Sequence, residues 1–195
     1  IDFGVVGEGE ETIVELLYAI EKEKNLDNIN GIVYRSDSEI ILTKPRDFIK
    51  NIDAIPLPAR DLLNMKLYKP APTYYKRLPS HVMLTSRGCP YRCVYCSKIS
   101  GNTYRYHSIE RIIREMKILI DEYGAKEIIF RDDTFTINQE HVKKLCEEII
   151  KQELNKKIKW TCITRVNLVS EDLLKLMSKA GCWSIHYGIE SGSQR

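Results

Sequence analysis

Residues 87–96 read RGCPYRCVYC, which places Cys89, Cys93 and Cys96 within eight positions, with Tyr91, Arg92, Val94 and Tyr95 between them. The segment just before, HVMLTS (81–86), has the pattern of a short apolar strand. Downstream, Ser108 stands as the N-cap of a helix with Ile109, Ile112, Ile113, Met116, Leu119 and Ile120 on one face and Gly124 at its end. KEIIF (126–130) reads as a second strand ending at RDDTF. Asn138 caps a second helix carrying Val142, Leu145, Cys146, Ile149 and Ile150 inward. KIKWTCIT (157–164) reads as a third strand ending at RVN, and Ser170 caps a third helix with Leu173, Leu176, Met177 and Ala180 inward, ended by Gly181. CWSIHYGI (182–189) is a fourth strand ending at ESGS. Strands alternating with helices predict parallel strands with right-handed crossovers, in half an α/β barrel or an open α/β sheet. In barrels, function gathers where the strands end. Here those ends read CPYRCVYC, RDDTF, RVN and ESGS, each turning from apolar to polar or ligand-bearing residues.

Upstream the pattern differs. DFGVVGEGEE opens with a strand-like run and a Gly-rich turn, and a helix follows with Ile13, Leu16, Leu17 and Ile20 at helical spacing. Two glutamates in GEGE would repel a phosphate, so the turn reads as a plain strand-to-helix connection. GIVYR and EIILTK flank SDS, a predicted hairpin. IPLPARDLL and KPAPTYYKRLP read as a linker. The predicted organisation is an α/β unit over 1–55, a linker over 56–80 and the strand–helix repeats over 81–195. The chain begins at Ile1 and stops just after a strand-like run, which reads as a piece of something longer.

The chain has 195 residues, 43% of them hydrophobic, enough to bury a core. A net charge of +3 does not argue for nucleic acid or a membrane surface, and NKKIK (155–159) reads as a solvated loop. No apolar run approaches the roughly 18 residues needed to span a bilayer, and no signal-peptide pattern opens the chain. Without a secretion signal, six cysteines point to metal or redox chemistry in a reducing cytoplasm rather than to a disulfide framework. Cys146, Cys162 and Cys182 fall on an inward helix face or within strands and read as small core residues. His81 and His186 fall in strand runs and read as packing.

A structural zinc takes four protein ligands, usually as two separated pairs, and a catalytic zinc with three usually includes histidine. Three thiols in one loop fit an iron–sulfur cluster better. A cubane [4Fe–4S] cluster normally takes four thiolates, so three leave one iron open for a ligand that reacts.

CPYRCVYC has the form CxxxCxΦC with Tyr95 before the third cysteine, and between a strand and a helix it resembles the signature of the radical S-adenosylmethionine (SAM) enzymes. The resemblance implies the first four βα units of a partial (β/α)6 barrel. It also implies a cluster on Cys89, Cys93 and Cys96 whose open iron is chelated by SAM. One electron then breaks the S–C5′ bond to give methionine and a 5′-deoxyadenosyl radical. It further implies SAM contacts from Tyr95 near the adenine, from Asp132 or Asp133 at the place where many members carry Gly-Gly-Glu, from Arg165, and from Glu190 and Ser191. A small-molecule substrate and an electron donor such as a flavodoxin or ferredoxin follow. No residue is assigned the hydrogen-transfer role.

Several further segments, VVGEGEETIVELL, IPLPARDLL, FRDDTFTIN, TRVNLVS, AGCW and YGIESGSQ, resemble the subgroup with an N-terminal cobalamin-binding domain. On that resemblance residues 1–55 are the C-terminal remnant of that domain, and methyl transfer is the leading expectation. Cobalamin binding rests on the resemblance alone, because no Asp-x-His-x-x-Gly occurs in the chain. Two alternatives stand. A methylthiotransferase acting on tRNA or protein would carry three further cluster cysteines upstream, whereas residues 1–80 contain none. A non-catalytic iron–sulfur or zinc module would need a fourth ligand closing the site. With four strands of about six, the chain by itself is expected to be a poor catalyst; turnover by the 195-residue chain would overturn that.

Overall fold

The structure, a computed structural model, describes every residue except Ser38, Lys98, Ile99, Gln194 and Arg195. The N-terminal unit contains β1 (Phe3–Val5), α1 (Glu10–Glu21), β2 (Ile32–Ser36) and β3 (Glu39–Leu42), with the strands in antiparallel order β1-β2-β3. The predicted hairpin forms: Ser36 pairs with Glu39, and Asp37 takes φ +51° in the turn, whose other residue, Ser38, lies outside the described residues. Helix α1 meets the sheet along Thr12, Leu16 and Ala19, a stripe spaced by one and two turns. Of the apolar residues singled out in the sequence only Leu16 is buried, while Ile13, Leu17 and Ile20 are exposed, because a seat three strands wide touches a single stripe of the helix.

Residues 43–79, which take in the predicted linker except Ser80 and also residues 43–55 of the predicted first unit, form a strap with 3-10 turns at Ile52–Ala54, Arg60–Leu62, Met65–Leu67 and Pro72–Tyr74. The strap is pinned along its length. Asp53 accepts from the Ser108 backbone N–H at 3.1 Å and lies 2.9 Å from His107 Nδ1. Arg60 pairs with Glu115 at 2.6 Å, and the Glu127 carboxylate accepts from the backbone N–H groups of Lys76 and Arg77.

The second unit begins with β4 (Ser80–Met83). The single strand predicted over 81–86 is split: β5 (Ser86–Arg87) leaves the main sheet to pair with β6 (Arg105–Tyr106), which closes the cysteine loop. Next come α2 (Ile109–Asp121), β7 (Glu127–Phe130), α3 (Gln139–Lys151), the short α4 (Leu154–Lys157), β8 (Lys159–Thr164), α5 (Glu171–Lys179) and β9 (Cys182–Tyr187). Strands β4, β7, β8 and β9 form one parallel sheet in that order, as the repeats predict. The three predicted caps are made, with Ser108, Asn138 and Ser170 accepting from the N–H groups of Arg111, His141 and Leu173.

The helices lie against one face of the sheet around a core of Met116, Leu119, Ile128, Leu145, Ile149 and Trp160. Phe130, Phe135 and Trp160 form an aromatic trio with ring centroids 5.1–5.6 Å apart, and Trp160 Nε1 donates to the Ala180 carbonyl at 2.9 Å. Cys146 and Cys162 are fully buried here, as expected of core residues. Burial pushes the Cys146 thiol up to about 12; a hydrogen bond with Cys182, together with burial, raises that of Cys162. His81 is buried with Nε2 3.4 Å from the Tyr123 carbonyl oxygen, and His186 packs on Tyr74. Among the described residues no helix is long and apolar enough to cross a membrane.

Candidate active site

The site is built where the parallel strands end. After β4 the chain passes through Thr85 into β5, and Gly88 starts the cysteine loop with φ +83°. A Cβ at Gly88 would stand 2.2 Å from the Thr103 carbonyl oxygen, so the neck of the loop closes only over glycine. Inside the loop the Cys89 N–H donates to the Gly101 carbonyl, and that of Cys96 to the Cys93 carbonyl, both at 3.1 Å. Cys89 and Cys93 are half-buried, Cys96 is exposed, and none is in a disulfide.

The end of β7 holds this loop at its root. Asp132 Oδ1 accepts from the Thr85 N–H and hydroxyl and from the Ser86 hydroxyl, at 3.0, 2.8 and 2.6 Å. Asp133 Oδ2 accepts from the Gly88 N–H at 3.0 Å. Thr134 Oγ1 lies 3.5 Å from Cys89 Sγ. Beyond β8, Arg165 stacks its guanidinium on Tyr91 at 4.2 Å and donates from Nη1 to Cys93 Sγ at 3.3 Å. Beyond β9, Glu190 adopts φ +59° and folds its carboxylate over Gly188.

These ends enclose a cavity of about 270 Å³ lined by all three loop cysteines together with Tyr95, Asp133, Arg165 and Glu190. A larger cleft of about 590 Å³, lined by residues of α2 and α3 such as Arg114, Lys117 and Glu148, holds no thiol, so chemistry rather than size marks the site. Partial desolvation at the cavity wall raises the Tyr95 phenol, and the nearby Glu190 carboxylate and Cys93 add to the effect, although most of the side chain stays exposed.

The structure therefore brings Cys89, Cys93, Cys96, Tyr95, Asp133, Arg165 and Glu190 to one cavity. Asp132 is placed behind it, 2% exposed, with Oδ1 committed to the root of the loop. Ser191 is exposed, does not line the cavity, and accepts from the Ser193 N–H. Two further groups reach the loop that sequence reasoning passed over: Thr134, and the pair Arg87 and Arg105 at the neck, both engaged by glutamates of the first turn. A signal for the arginines was present, since one stands immediately on either side of the loop 88–104.

The donor set fits a cluster with an open iron. The cavity supplies three thiols and a guanidinium that donates to Cys93 Sγ, while Cys146 and Cys162 are locked in the core as neutral thiols. Among the described residues no three Cys, His, Asp or Glu side chains are already gathered at metal-ligand distance. The thiols line the wall, and a bound group would have to draw them together.

The profile of the Radical SAM superfamily matches residues 83–195. Over its whole length the chain is 43% identical to an uncharacterized methyltransferase, PH0819, of Pyrococcus horikoshii, and covers 41% of that protein. It is 33% identical, again over its full length, to the anaerobic magnesium-protoporphyrin IX monomethyl ester cyclase of Cereibacter sphaeroides, covering 32% of it. The chain thus spans about two fifths or less of these relatives. Among solved structures, the cobalamin-dependent SAM radical enzyme OxsB, with aqua-cobalamin and SAM bound, superposes with a TM-score of 0.77 at 25% identity, over 96% of this chain and 28% of that one. The cysteine loop at the end of β4, the parallel sheet that carries it and the match over more than half the residues agree: the chain belongs to the radical SAM superfamily.

Proposed function

We propose that Cys89, Cys93 and Cys96 hold a [4Fe–4S] cluster, and that the protein cleaves SAM reductively as part of a cobalamin-dependent methyltransferase or a related radical enzyme. The observation that carries this is the convergence of three thiols, one guanidinium and two carboxylates on a single cavity at the strand ends. When bound, such a cluster supplies one electron to the sulfonium of SAM at its open iron, breaking the S–C5′ bond to give methionine and a 5′-deoxyadenosyl radical.

The chain's own residues bind and orient. Arg165, stacked on Tyr91 and already donating to Cys93 Sγ, is placed to meet the SAM carboxylate with charge-assisted hydrogen bonds. Glu190 and the uncommitted oxygen of Asp133 are acceptors for its ammonium group. Tyr95 offers its ring to the adenine. Asp132 acts one step back, holding Thr85 and Ser86 so that the loop leaves the sheet in one direction.

Residues 1–55 are, on this reading, the C-terminal part of a cobalamin-binding unit, 56–80 the connection and 81–195 the beginning of the barrel. Methyl transfer is favoured by PH0819, and cobalamin by OxsB. The substrate is a small molecule, and a low-potential donor such as a flavodoxin or ferredoxin supplies the electron.

Anaerobic reconstitution tests the reading. About four iron and four sulfide per chain are expected, lost on changing Cys89, Cys93 or Cys96 to Ala. Reduction with dithionite in the presence of SAM should release 5′-deoxyadenosine and methionine in equal amounts, in a single round rather than in sustained turnover by this chain. Tightly bound zinc in place of iron would sink the reading.

A further inference from the structure

The turn between β1 and α1, Gly7-Glu8-Gly9-Glu10, reads in the sequence as a bare connection. In the structure its carboxylates reach the neck of the cysteine loop. Glu8 Oε1 accepts from Arg87 Nη1 at 3.0 Å and from Arg105 Nη1 at 2.9 Å. Glu8 Oε2 accepts from Arg105 Nη1 at 2.8 Å and from the Ile49 N–H at 2.7 Å. Glu10 Oε1 accepts from Arg87 Nη2 at 2.5 Å.

The placement of the two arginines gives these contacts their meaning. Arg87 is the last residue before Gly88-Cys89, Arg105 is the first after the loop, and they are register partners on β5 and β6. Like charges directly opposite on a ladder repel. One buried carboxylate between them turns that repulsion into a clasp joining both ends of the loop; the Glu8 and Arg105 side chains are only 9% and 7% exposed. Arg105 also donates to the Ser100 and Thr103 carbonyls inside the loop and to the Ile49 carbonyl in the strap. Phe48 lies 4.9 Å from its guanidinium and fills the space at Gly101, where a Cβ would come within 2.5 Å of the ring. The root of the loop is thus held by Asp132 and Asp133 on the sheet side and by Glu8 and Glu10 on the other.

We propose that the Gly7–Glu10 turn is a positioning element for the cysteine loop. Glu8 sets the separation of the loop's two ends and with it the presentation of Cys89, Cys93 and Cys96, so the N-terminal unit is part of the SAM-binding apparatus. The effect on loop order is independent of the function proposed above; the effect on SAM rests on it.

The test compares Glu8→Gln and Glu10→Gln with the wild type. Hydrogen exchange of the iron-free protein is followed in peptides spanning 87–89 and 100–106, with α3 as internal reference. SAM is then titrated into the reconstituted, reduced proteins by electron paramagnetic resonance. In Glu8→Gln, exchange at the neck should rise about tenfold with α3 unchanged, and the SAM concentration giving half the spectral shift should rise about tenfold. Glu10→Gln, which keeps Glu8, should show the same changes to a smaller degree. Wild-type exchange at the neck of Glu8→Gln would overturn the proposal. So would faster exchange with an unaltered SAM titration, since the clasp would then hold the loop without setting the site. If Glu8→Gln loses protection in α3 as well, Glu10→Gln decides: loss confined to the neck supports the clasp, and wild-type exchange or loss throughout overturns it. A wild type that takes up no iron would count against the cluster and leave the exchange result to judge the clasp.

Discussion

One oxygen of the Asp132 carboxylate accepts three hydrogen bonds, while the other, equally buried, has no partner among the described residues. Burial outweighs the Ser86 and Thr85 hydrogen bonds and pushes this carboxyl up to about 6. For an acid whose folded pKa is raised, the contribution to stability is complete below the unfolded value, here 3.8, and is lost as pH rises through the folded one. The wild type should therefore lose about 2–3 kcal/mol relative to Asp132→Asn between about pH 4 and pH 6. Denaturant unfolding of both proteins across that range measures it; a difference that does not vary with pH would contradict it. The cysteines divide in a way that mass spectrometry can check. In the iron-free protein Cys89, Cys93 and Cys96 should react readily with iodoacetamide, whereas Cys146 and Cys162 should stay unmodified until the chain unfolds, because both are fully buried, and burial at Cys146 and the hydrogen bond with Cys182 at Cys162 hold them as thiols. Fast labelling of Cys146 in the folded protein would show that the helix packing is wrong.

At the scale of elements, the cysteine loop depends on a neck two residues wide on each strand. Gly88→Ala forces a Cβ to 2.2 Å from the Thr103 carbonyl oxygen at φ +83°, so the ladder between β5 and β6 must open. Gly124→Ala is the control: it too has positive φ, +64°, but nothing within 4 Å of the added carbon. Gly124→Ala should cost about 1–2 kcal/mol and leave iron uptake intact, whereas Gly88→Ala should abolish iron uptake. Equal iron contents in the two reconstituted proteins would refute the role given to the neck. The elements themselves were legible in the sequence because their signals are local. Caps such as Ser108 lie three residues from the N–H they accept, and the apolar spacing of each helix comes from its own residues. The flanking arginines of the neck were there to be read, but their pairing with Glu8 was not legible, because Glu8 and Arg105 are 97 positions apart. Asp132 and Asp133 were legible as acidic residues at a strand end, but not the division between them. Only backbone register shows that one faces Thr85 and Ser86 while the other reaches Gly88 and the cavity.

Over the whole molecule, the segment that composition marks as a linker behaves as a packed strap. Tyr74 touches the His186 ring and the Arg131 guanidinium, and Glu127, fully buried in β7, is satisfied by Lys76, Arg77 and Trp183. Pro-rich composition does not show where a segment docks, since partners such as Glu127, 50 and 51 positions from Arg77 and Lys76, are far off in the chain. Removing one partner of a buried ion pair strands the other, so Glu115→Ala, which leaves Arg60 unpaired, should cost about 3–5 kcal/mol in denaturant unfolding; a loss under about 1 kcal/mol would mean that the strap is only loosely held. Strap, clasp and sheet all converge on the loop bearing Cys89, Cys93 and Cys96, and the central claim is that these three thiols hold a cluster with one iron left for SAM. Electron paramagnetic resonance of the reconstituted, dithionite-reduced protein with and without SAM tests it most directly. The account predicts a [4Fe–4S]⁺ signal that shifts when SAM is added and disappears with Cys89→Ala, Cys93→Ala or Cys96→Ala. A cluster signal unchanged by SAM, or one that survives loss of any of the three cysteines, would contradict it.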